Sequence, residues 1–176
     1  MPQASPAPQA SAAGQPADLM TRFFARLIDF VVLFIVNIVV VTTVILGALL
    51  GANGGGFFGG GGFVANAVGA VVSAAIYIGY FAFLESSRGQ TLGKMLLKLK
   101  TEGPNGELPT MEQAIKRNIW VAFGVAGIIP ILGTFLAFVA QLGAAIYIAV
   151  TINNNTTTRQ GWHDEFAGGT RVIKTA

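Results

Sequence analysis

The sequence predicts an all-α integral membrane protein, a four-helix bundle with a small cytoplasmic interfacial element. Only 11% of the residues are charged and 53% are hydrophobic, whereas a soluble domain would be about 25% charged. The apolar residues come in blocks of roughly 20, the length of helix that crosses about 30 Å of hydrocarbon. These blocks lack the polar alternation of barrel strands, so helices are favoured over a barrel.

Residues 1–19 are predicted to form a disordered N-terminal tail, because they are rich in Ala, Pro, Gln and Ser and show no apolar period. A signal peptide is not expected, since the first apolar run is longer than an h-region of about 7–15 residues. The membrane domain is expected over residues 20–173, and residues 174–176 form the C-terminal end.

The first span is expected at about 27–50 and the second at about 63–84. The loop between them is dense in glycine and uncharged, and it lacks the Lys and the Ser or Thr that end a phosphate-binding loop. A hairpin connection is its expected role. Small residues along the second span would let another helix approach closely.

The segment that follows the second span is the most charged part of the chain. The positive-inside rule therefore predicts that this segment and both termini are cytoplasmic, in a multi-pass protein of the cell membrane. The basic residues lie at the ends of apolar blocks, so anionic lipid head groups are the expected counter-charge, and nucleic acid is not an expected partner. The basic residues of this charged segment are Arg88, Lys94, Lys98, Lys100, Lys116 and Arg117.

Within this segment, LLKLKTE followed by GPNG suggests a short strand and turn at the membrane surface. The stretch TLGKMLLKLK also fits an amphipathic interfacial helix, and the two interpretations stay open. The surface motif GQTLGK, with Gly89, Thr91, Gly93 and Lys94, lacks P-loop spacing. A turn is its expected role, with binding of lipid phosphate as the alternative.

A third helix is expected at about 111–129, starting in a capping box at Thr110. The uncharged stretch that follows is too long for one crossing, and Gly127, Pro130 and Gly133 mark a break in it.

A fourth helix is expected at about 133–152. Because the charge-free part of the third helix is short, that helix would thin the bilayer or re-enter without crossing. The alternative to four crossings is three spans and an exported C-terminus.

Arg22, Arg26 and Asp29 occur at the entrance to the first span, where charge is unfavourable. Their spacing places them on one helix face, so they could neutralise one another within a single helix. Four crossings would bring His163 and Asp164 to the same membrane face. The charges could then serve as an interfacial anchor, a functional cluster or a structural latch.

Conventional catalysis is not expected from this composition. The chain has no cysteine and one histidine, so it offers little for a metal site or a Ser-His-Asp triad, and no cofactor is predicted. A membrane enzyme acting on lipid head groups through His163 and Asp164 is a further alternative, although no nucleophile is marked by its surroundings.

Four pieces of sequence resemble the RDD family of small membrane proteins, which is named for an arginine and two aspartates. They are RFFARLID at 22–29, GQTLGKMLLKLK at 89–100, Arg117, and HDEFAGGTRVI at 163–173. Arg22, Asp29 and Asp164 occupy the naming positions, and Arg26 is an additional basic residue. AGGT at 167–170 departs from the family's usual AGT. The resemblance covers about residues 20–173.

This resemblance implies a transport role, and some family members have been linked to sodium/proton exchange. The polar residues suit a cation or proton relay, with His163 able to titrate near neutrality. The main function hypothesis is therefore a transport protein or component for a cation, proton or small solute. The alternative is a non-catalytic accessory or assembly subunit, and either would work as a homo-oligomer or in a larger membrane complex. The candidate cluster is Arg22, Arg26, Asp29, Glu85, Arg117, His163 and Asp164.

Overall fold

The computed structural model describes residues 13–51, 60–129 and 131–175. Three helices contain stretches that are long and apolar enough to cross a membrane, Leu19–Val40, Ala67–Arg88 and Leu132–Asn154. The predicted helical membrane protein is confirmed at this level. The elements in chain order are α1 (Leu19–Gly51), α2 (Gly60–Arg88), α3 (Leu92–Leu96), β1 (Leu99–Glu102), α4 (Met111–Asn118), a 3₁₀ segment (Ile119–Ile128), α5 (Leu132–Asn154), α6 (Trp162–Phe166) and β2 (Arg171–Lys174).

The start of α1 and the ends of α2 and α5 lie at one end of the molecule, here called the polar end. Arg22 near the start of α1 is 3.1 Å from Asp164, which follows α5. Glu85 near the end of α2 is 3.5 Å from Arg117 of α4. The chain therefore leaves the polar end through α1 and again through the 3₁₀ segment, and it returns through α2 and α5.

Helix α1 begins eight residues before the predicted position of 27, and the charged residues lie inside it. Asp18 explains the early start, because its Oδ1 accepts the backbone N–H of Thr21 at 2.8 Å and so satisfies a free donor of the first turn. The glycine-rich connection between the first two spans falls largely on residues 52–59, which lie outside the described residues.

Helix α2 runs to Arg88, beyond the predicted end at 84, and stops at a glycine. Gly89 has a φ of +70°, the left-handed conformation that commonly ends a helix. A β-carbon there would also lie 2.7 Å from the carbonyl oxygen of Thr101. Both interpretations of the following segment hold in part, since α3 is a short helix and β1 is a strand.

The predicted tail is ordered where the structure describes it, from residue 13 onward. Strand β2 pairs antiparallel with β1, and Pro16 forms a bridge to Ile173 on its other edge. The backbone N–H of Ala17 donates to the oxygen of Val172 at 2.9 Å. The prediction of disorder through residue 19 is therefore wrong, because this segment forms hydrogen bonds with the otherwise unpaired edge of β2. Residues 1–12 lie outside the described residues.

The third helix begins as predicted, with the capping box between Thr110 and Gln113. After Asn118 the chain winds into a ten-residue 3₁₀ helix, although such runs rarely exceed 3–4 residues. Three residues per turn place Val121, Gly124 and Gly127 in one line. The tighter winding also lengthens the segment, to about 20 Å at roughly 2.0 Å per residue.

The 3₁₀ segment and α5 form an antiparallel hairpin. The Nε2 of Gln141 donates to the oxygen of Val121 at 3.1 Å, and a β-carbon on Gly133 would lie 2.0 Å from the oxygen of Ala126. The predicted break is confirmed, with Ile131 at a φ of +60° and α5 starting at Leu132. Pro130 lies outside the described residues.

We predict that Gly93→Ala destabilises the fold. A β-carbon at this position would lie 1.9 Å from the carbonyl oxygen of Ala25, so α3 would have to move away from α1. Overpacking of this kind costs about 1–3 kcal/mol. Thermal unfolding in detergent measures it, with Gly79→Ala as the control because its β-carbon would meet nothing within 4 Å. Equal melting temperatures for the two variants would contradict this packing.

Candidate functional site

Asp164 lies at the centre of the polar end and is fully buried. Its Oδ2 accepts hydrogen bonds from Nη1 of Arg22 at 3.1 Å and from the backbone N–H of Gly161 at 3.0 Å. Nη1 of Arg117 donates to its Oδ1. Burial would raise the pKa of this carboxyl, but the positive charges, led by Arg117, hold the pKa below its usual range. The ionised carboxylate therefore joins α1, α4 and α6.

Arg22 connects the same carboxylate to the sheet. Its Nε donates to the carbonyl oxygen of Ala17 at 3.1 Å, and its Nη2 donates to that of Val172 at 3.2 Å. One guanidinium thus links the segment before α1, strand β2 and the side chain of Asp164. These contacts hold the first and last parts of the described chain together.

Glu85 is the second buried carboxylate, and it lies 2.5 Å from Nζ of Lys94. It also accepts a hydrogen bond from Nδ2 of Asn118 at 3.1 Å and lies 3.5 Å from Nε of Arg117. Lys94 donates in turn to Oγ1 of Thr101 at 2.6 Å. Burial lowers the pKa of Lys94 to about 8, which still leaves the amine mostly protonated at neutral pH. The pair joins α2 to α3 and α4.

Asp29 is bound by neutral donors. Its Oδ1 accepts from the hydroxyl of Tyr80 at 2.8 Å and from the backbone N–H of Gly93 at 2.8 Å, while its Oδ2 accepts from Oγ1 of Thr91 at 2.6 Å. The expected neutralisation of Asp29 by two arginines of its own helix is therefore wrong. Both oxygens are used by α2 and by the start of α3, which packs against this face of α1.

Arg26 is half-buried and differs from the buried cations in its surroundings. Its guanidinium carbon lies 3.6 Å from the ring centroid of Phe81, and the rings of Phe30 and Trp120 lie further away, at 5.3 and 5.2 Å. Nη1 donates to Oδ1 of Asn118 at 2.8 Å. Within the described residues, no carboxylate lies within 4.0 Å of this guanidinium. Aromatic faces and one amide therefore hold it in place.

His163 is buried and does not titrate near neutrality, contrary to the expectation from sequence. Burial lowers the pKa of its imidazole to about 3. Its Nε2 is 3.8 Å from Oδ1 of Asp164, and its Nδ1 has no hydrogen-bond partner among the described residues. In the described ranges, no three His, Asp or Glu side chains are grouped so that they could hold a metal ion.

The GQTLGK motif belongs to this buried cluster, and its expected place at the surface is wrong. Gly89, Thr91, Gly93 and Lys94 are all buried. Thr91 caps α3 by accepting the N–H of Lys94 at 3.4 Å, and Gly93 lets α3 lie directly against α1. The motif therefore delivers one cation and two hydrogen-bond donors to the polar end.

A partly open cavity of about 450 Å³, here called the interior cavity, lies among α1, α2, the 3₁₀ segment and α5, beyond the aromatic residues that surround Arg26. Phe30 and Trp120 line it on one side. Its polar lining comes from Ser73 and Tyr77 of α2 and from Gln141 of α5. These groups can donate and accept hydrogen bonds but carry no charge at neutral pH.

A smaller side cleft of about 150 Å³ lies between α1 and α5 near the polar end. Phe23 and Arg26 line it on α1, and Ala145 and Ala149 line it on α5. Trp120 lines both the side cleft and the interior cavity. The two spaces therefore adjoin the same tryptophan.

Several residues of this region were not singled out from the sequence. Asn118 bridges Arg26 and Glu85, and its place directly before an apolar block was the available signal. Tyr80 of α2 donates to Asp29 of α1, a contact that the pattern of either helix alone does not predict. Nothing local in the sequence marked Thr101 as a partner of a buried lysine.

We predict that Asp164→Asn destabilises the protein strongly, because it leaves Arg22 buried without a counter-charge and leaves Arg117 with only Glu85, which also pairs with Lys94. Removing one partner of a buried ion pair costs about 3–5 kcal/mol. Thermal unfolding in detergent measures this effect. The control is Glu112→Gln, which breaks the exposed pair with Lys116 and should leave the melting temperature unchanged. A similar melting temperature for both variants would show that the ion pairs of Asp164 do not stabilise the polar end.

The comparisons with known proteins identify the family of the chain. The family model described as RDD family matches residues 16–168, which is most of the chain. No curated protein and no solved structure matched the chain. The matched region includes Arg22, Asp29 and Asp164, the residues at the naming positions. The chain therefore belongs to the RDD family.

Proposed function

We propose that this protein is a transport protein, or the membrane component of one, that carries a small solute or ion across the bilayer. The observation that carries the proposal is the interior cavity of about 450 Å³, with Ser73, Tyr77 and Gln141 in its lining. Ligand cavities in proteins commonly have about 300–1,000 Å³ and combine apolar walls with a few polar groups.

The position of this cavity supports a transport role. Ser73 and Tyr77 lie within the candidate span Ala67–Arg88, and Gln141 lies within Leu132–Asn154. Polar side chains in such segments are unfavourable and commonly mark a solute or ion pathway. Close to the cavity, Ser73 donates to Oδ1 of Asn37 at 3.2 Å, and Nδ2 of Asn37 is buried without a partner in the described region. A solute could use such donors.

The aromatic residues between the cavity and the polar end provide a gate. The rings of Phe30 and Trp120 are 6.4 Å apart, and those of Phe30 and Phe81 are 6.2 Å apart. A solute that moves from the cavity toward the polar end has to separate Trp120 from Phe30. The 3₁₀ segment carries Trp120, and long 3₁₀ stretches often coincide with hinges.

The bonding of the carboxylates favours a small solute over a cation relay through the cluster. Asp164 and Glu85 already form ion pairs with buried cations, and Asp29 already accepts three hydrogen bonds. A cation that used these oxygens would have to displace those partners. In this proposal the cluster aligns the helices, and the uncharged cavity receives the solute.

We also propose four crossings with both termini in the cytoplasm. The basic residues of the α2–α4 segment support this orientation. The third crossing consists of the 3₁₀ segment, about 20 Å long at roughly 2.0 Å per residue, together with part of α4. Its limited length requires a locally thinner bilayer or basic side chains that reach the interface.

Cysteine labelling tests this topology, since the chain has no native cysteine. Ile131→Cys lies in the hairpin between the 3₁₀ segment and α5, where the native side chain is 80% exposed. It should react only with reagent added outside the cell. Lys98→Cys and Thr157→Cys occupy exposed positions at the polar end and should react only from inside. Labelling of Thr157→Cys from outside would show three crossings.

Filling the interior cavity tests the transport function. Ala74 lines the cavity and its neighbour Ala75 is exposed on the same helix, so Ala74→Leu and Ala75→Leu are matched variants. Proteoliposome assays would measure the flux of Na⁺, K⁺, protons and glycerol. For any probe that the parent carries, Ala74→Leu should lower the flux about tenfold or more, because the larger side chain narrows the pathway, and tenfold corresponds to a barrier raised by about 1.4 kcal/mol. Ala75→Leu should transport like the parent.

Two outcomes would contradict this function. Equal flux in both variants would exclude the interior cavity as the pathway. A parent protein that carries none of the four probes, but copurifies from its native membrane in mild detergent with a stoichiometric partner, would instead indicate an accessory or assembly subunit.

A further inference from the structure

The side cleft between α1 and α5 has a strongly cationic lining. Four cations line it, and the single carboxylate among its lining residues is that of Asp29. Both oxygens of Asp29 already accept hydrogen bonds from α2 and α3. The other two buried carboxylates do not line the cleft. The cations are Arg22, Arg26, Lys94 and Arg117.

Arg26 is the cation in this cleft that is available to a further anion. Arg22, Lys94 and Arg117 each form an ion pair with Glu85 or Asp164. Arg26 has no carboxylate within 4.0 Å in the described part of the chain. A half-buried guanidinium in apolar surroundings favours a counter-charge, and the aromatic rings around it fix its position.

The walls of the cleft indicate what kind of anion would enter. Beside the charged floor, the lining is apolar, with Leu19 and Phe23 on α1 and Ile148 and Ile152 on α5. Phe23 is 55% exposed, so the cleft reaches the outer surface of the bundle. An anion that enters here passes between apolar side chains, which suits the polar head of an amphiphile better than a free ion.

The depth of the cleft matches that of lipid head groups. Arg26 is seven residues from the start of α1, or about 10 Å along the helix at 1.5 Å per residue. The wall formed by α5 lies in the last turns of that helix. Both helices contain candidate spans, so the cleft opens sideways near one membrane interface.

We propose that this cleft binds the anionic head group of a membrane phospholipid, with Arg26 as the cation that contacts the phosphate and the acyl chains along the apolar faces of α1 and α5. Arg22, Lys94 and Arg117 remain paired with Asp164 and Glu85, so the attraction for the phosphate comes mainly from Arg26. This is a specific lipid site, separate from the interior cavity, and it does not depend on whether that cavity carries a solute.

Trp120 is a built-in reporter for this site, because it lines the cleft and is only 9% exposed. The chain has two tryptophans, so Trp162→Phe leaves Trp120 as the single tryptophan of the full-length protein, which can be excited selectively over the tyrosines. The protein is reconstituted in phosphatidylcholine vesicles that contain a small mole fraction of acyl-brominated phosphatidylglycerol or acyl-brominated phosphatidylcholine. We expect roughly fivefold stronger quenching of Trp120 by the anionic lipid.

Three variants in this background test the assignment. Arg26→Gln removes the cation and should abolish the preference for phosphatidylglycerol. Ala149→Phe fills the cleft from α5 while it leaves every charge in place, and it should have the same effect. Arg88→Gln removes an exposed cation at the end of α2, outside the cleft, and should keep the preference.

Competition distinguishes a lipid from a free anion. Excess unbrominated phosphatidylglycerol should relieve the quenching, and inorganic phosphate should not. Relief by inorganic phosphate would overturn the assignment to a lipid. Equal quenching by the two brominated lipids in the parent would also overturn it. So would a preference for phosphatidylglycerol that persists in both Arg26→Gln and Ala149→Phe. An equal loss of this preference in Arg88→Gln would overturn it as well.

Discussion

The polar end of this protein depends on the contact of one carboxylate with two guanidinium groups. Asp164 follows the last long helix, Arg22 lies at the start of the first, and Arg117 ends the short helix that begins the third passage. Each charge would be unfavourable in this buried position without the others. Their contacts join α1, α4 and α6 at the polar end.

Much of the helical architecture could be predicted from the sequence, but the partners of its charges could not. Apolar blocks, the capping box at Thr110 and the glycines near position 130 indicated where helices start and stop. For Asp29 the interpretation failed because spacing along one helix shows which groups share a face, not which element covers that face. The covering element is α3, which approaches because Gly93 has no side chain. Its donors Thr91 and Gly93 were visible in the sequence only as a surface turn.

The 3₁₀ conformation of the segment after α4 could not be predicted either. Its residues are apolar on all sides, so their pattern favours neither an α-helix nor a 3₁₀ helix. The only signal is the three-residue spacing of Val121, Gly124 and Gly127, which lines up small residues when a helix has three residues per turn. In the structure this line faces α5, and Val121 and Gly124 also border the interior cavity. The cavity could not be predicted, because it depends on how tightly several helices pack, and no single stretch of sequence records that.

The pairing of the first helix with the last segment also bears on how the protein is made. A ribosome releases Arg22 into the membrane long before Asp164 exists, and Arg117, which already has Glu85 in the chain before it, also precedes Asp164. During synthesis these guanidiniums must rely on water, lipid phosphate or the insertion machinery. Assembly of the bundle is therefore completed only when the final segment arrives and β2 joins the residues before α1. An unfinished chain therefore carries positive charges that Asp164 neutralises only in the finished protein.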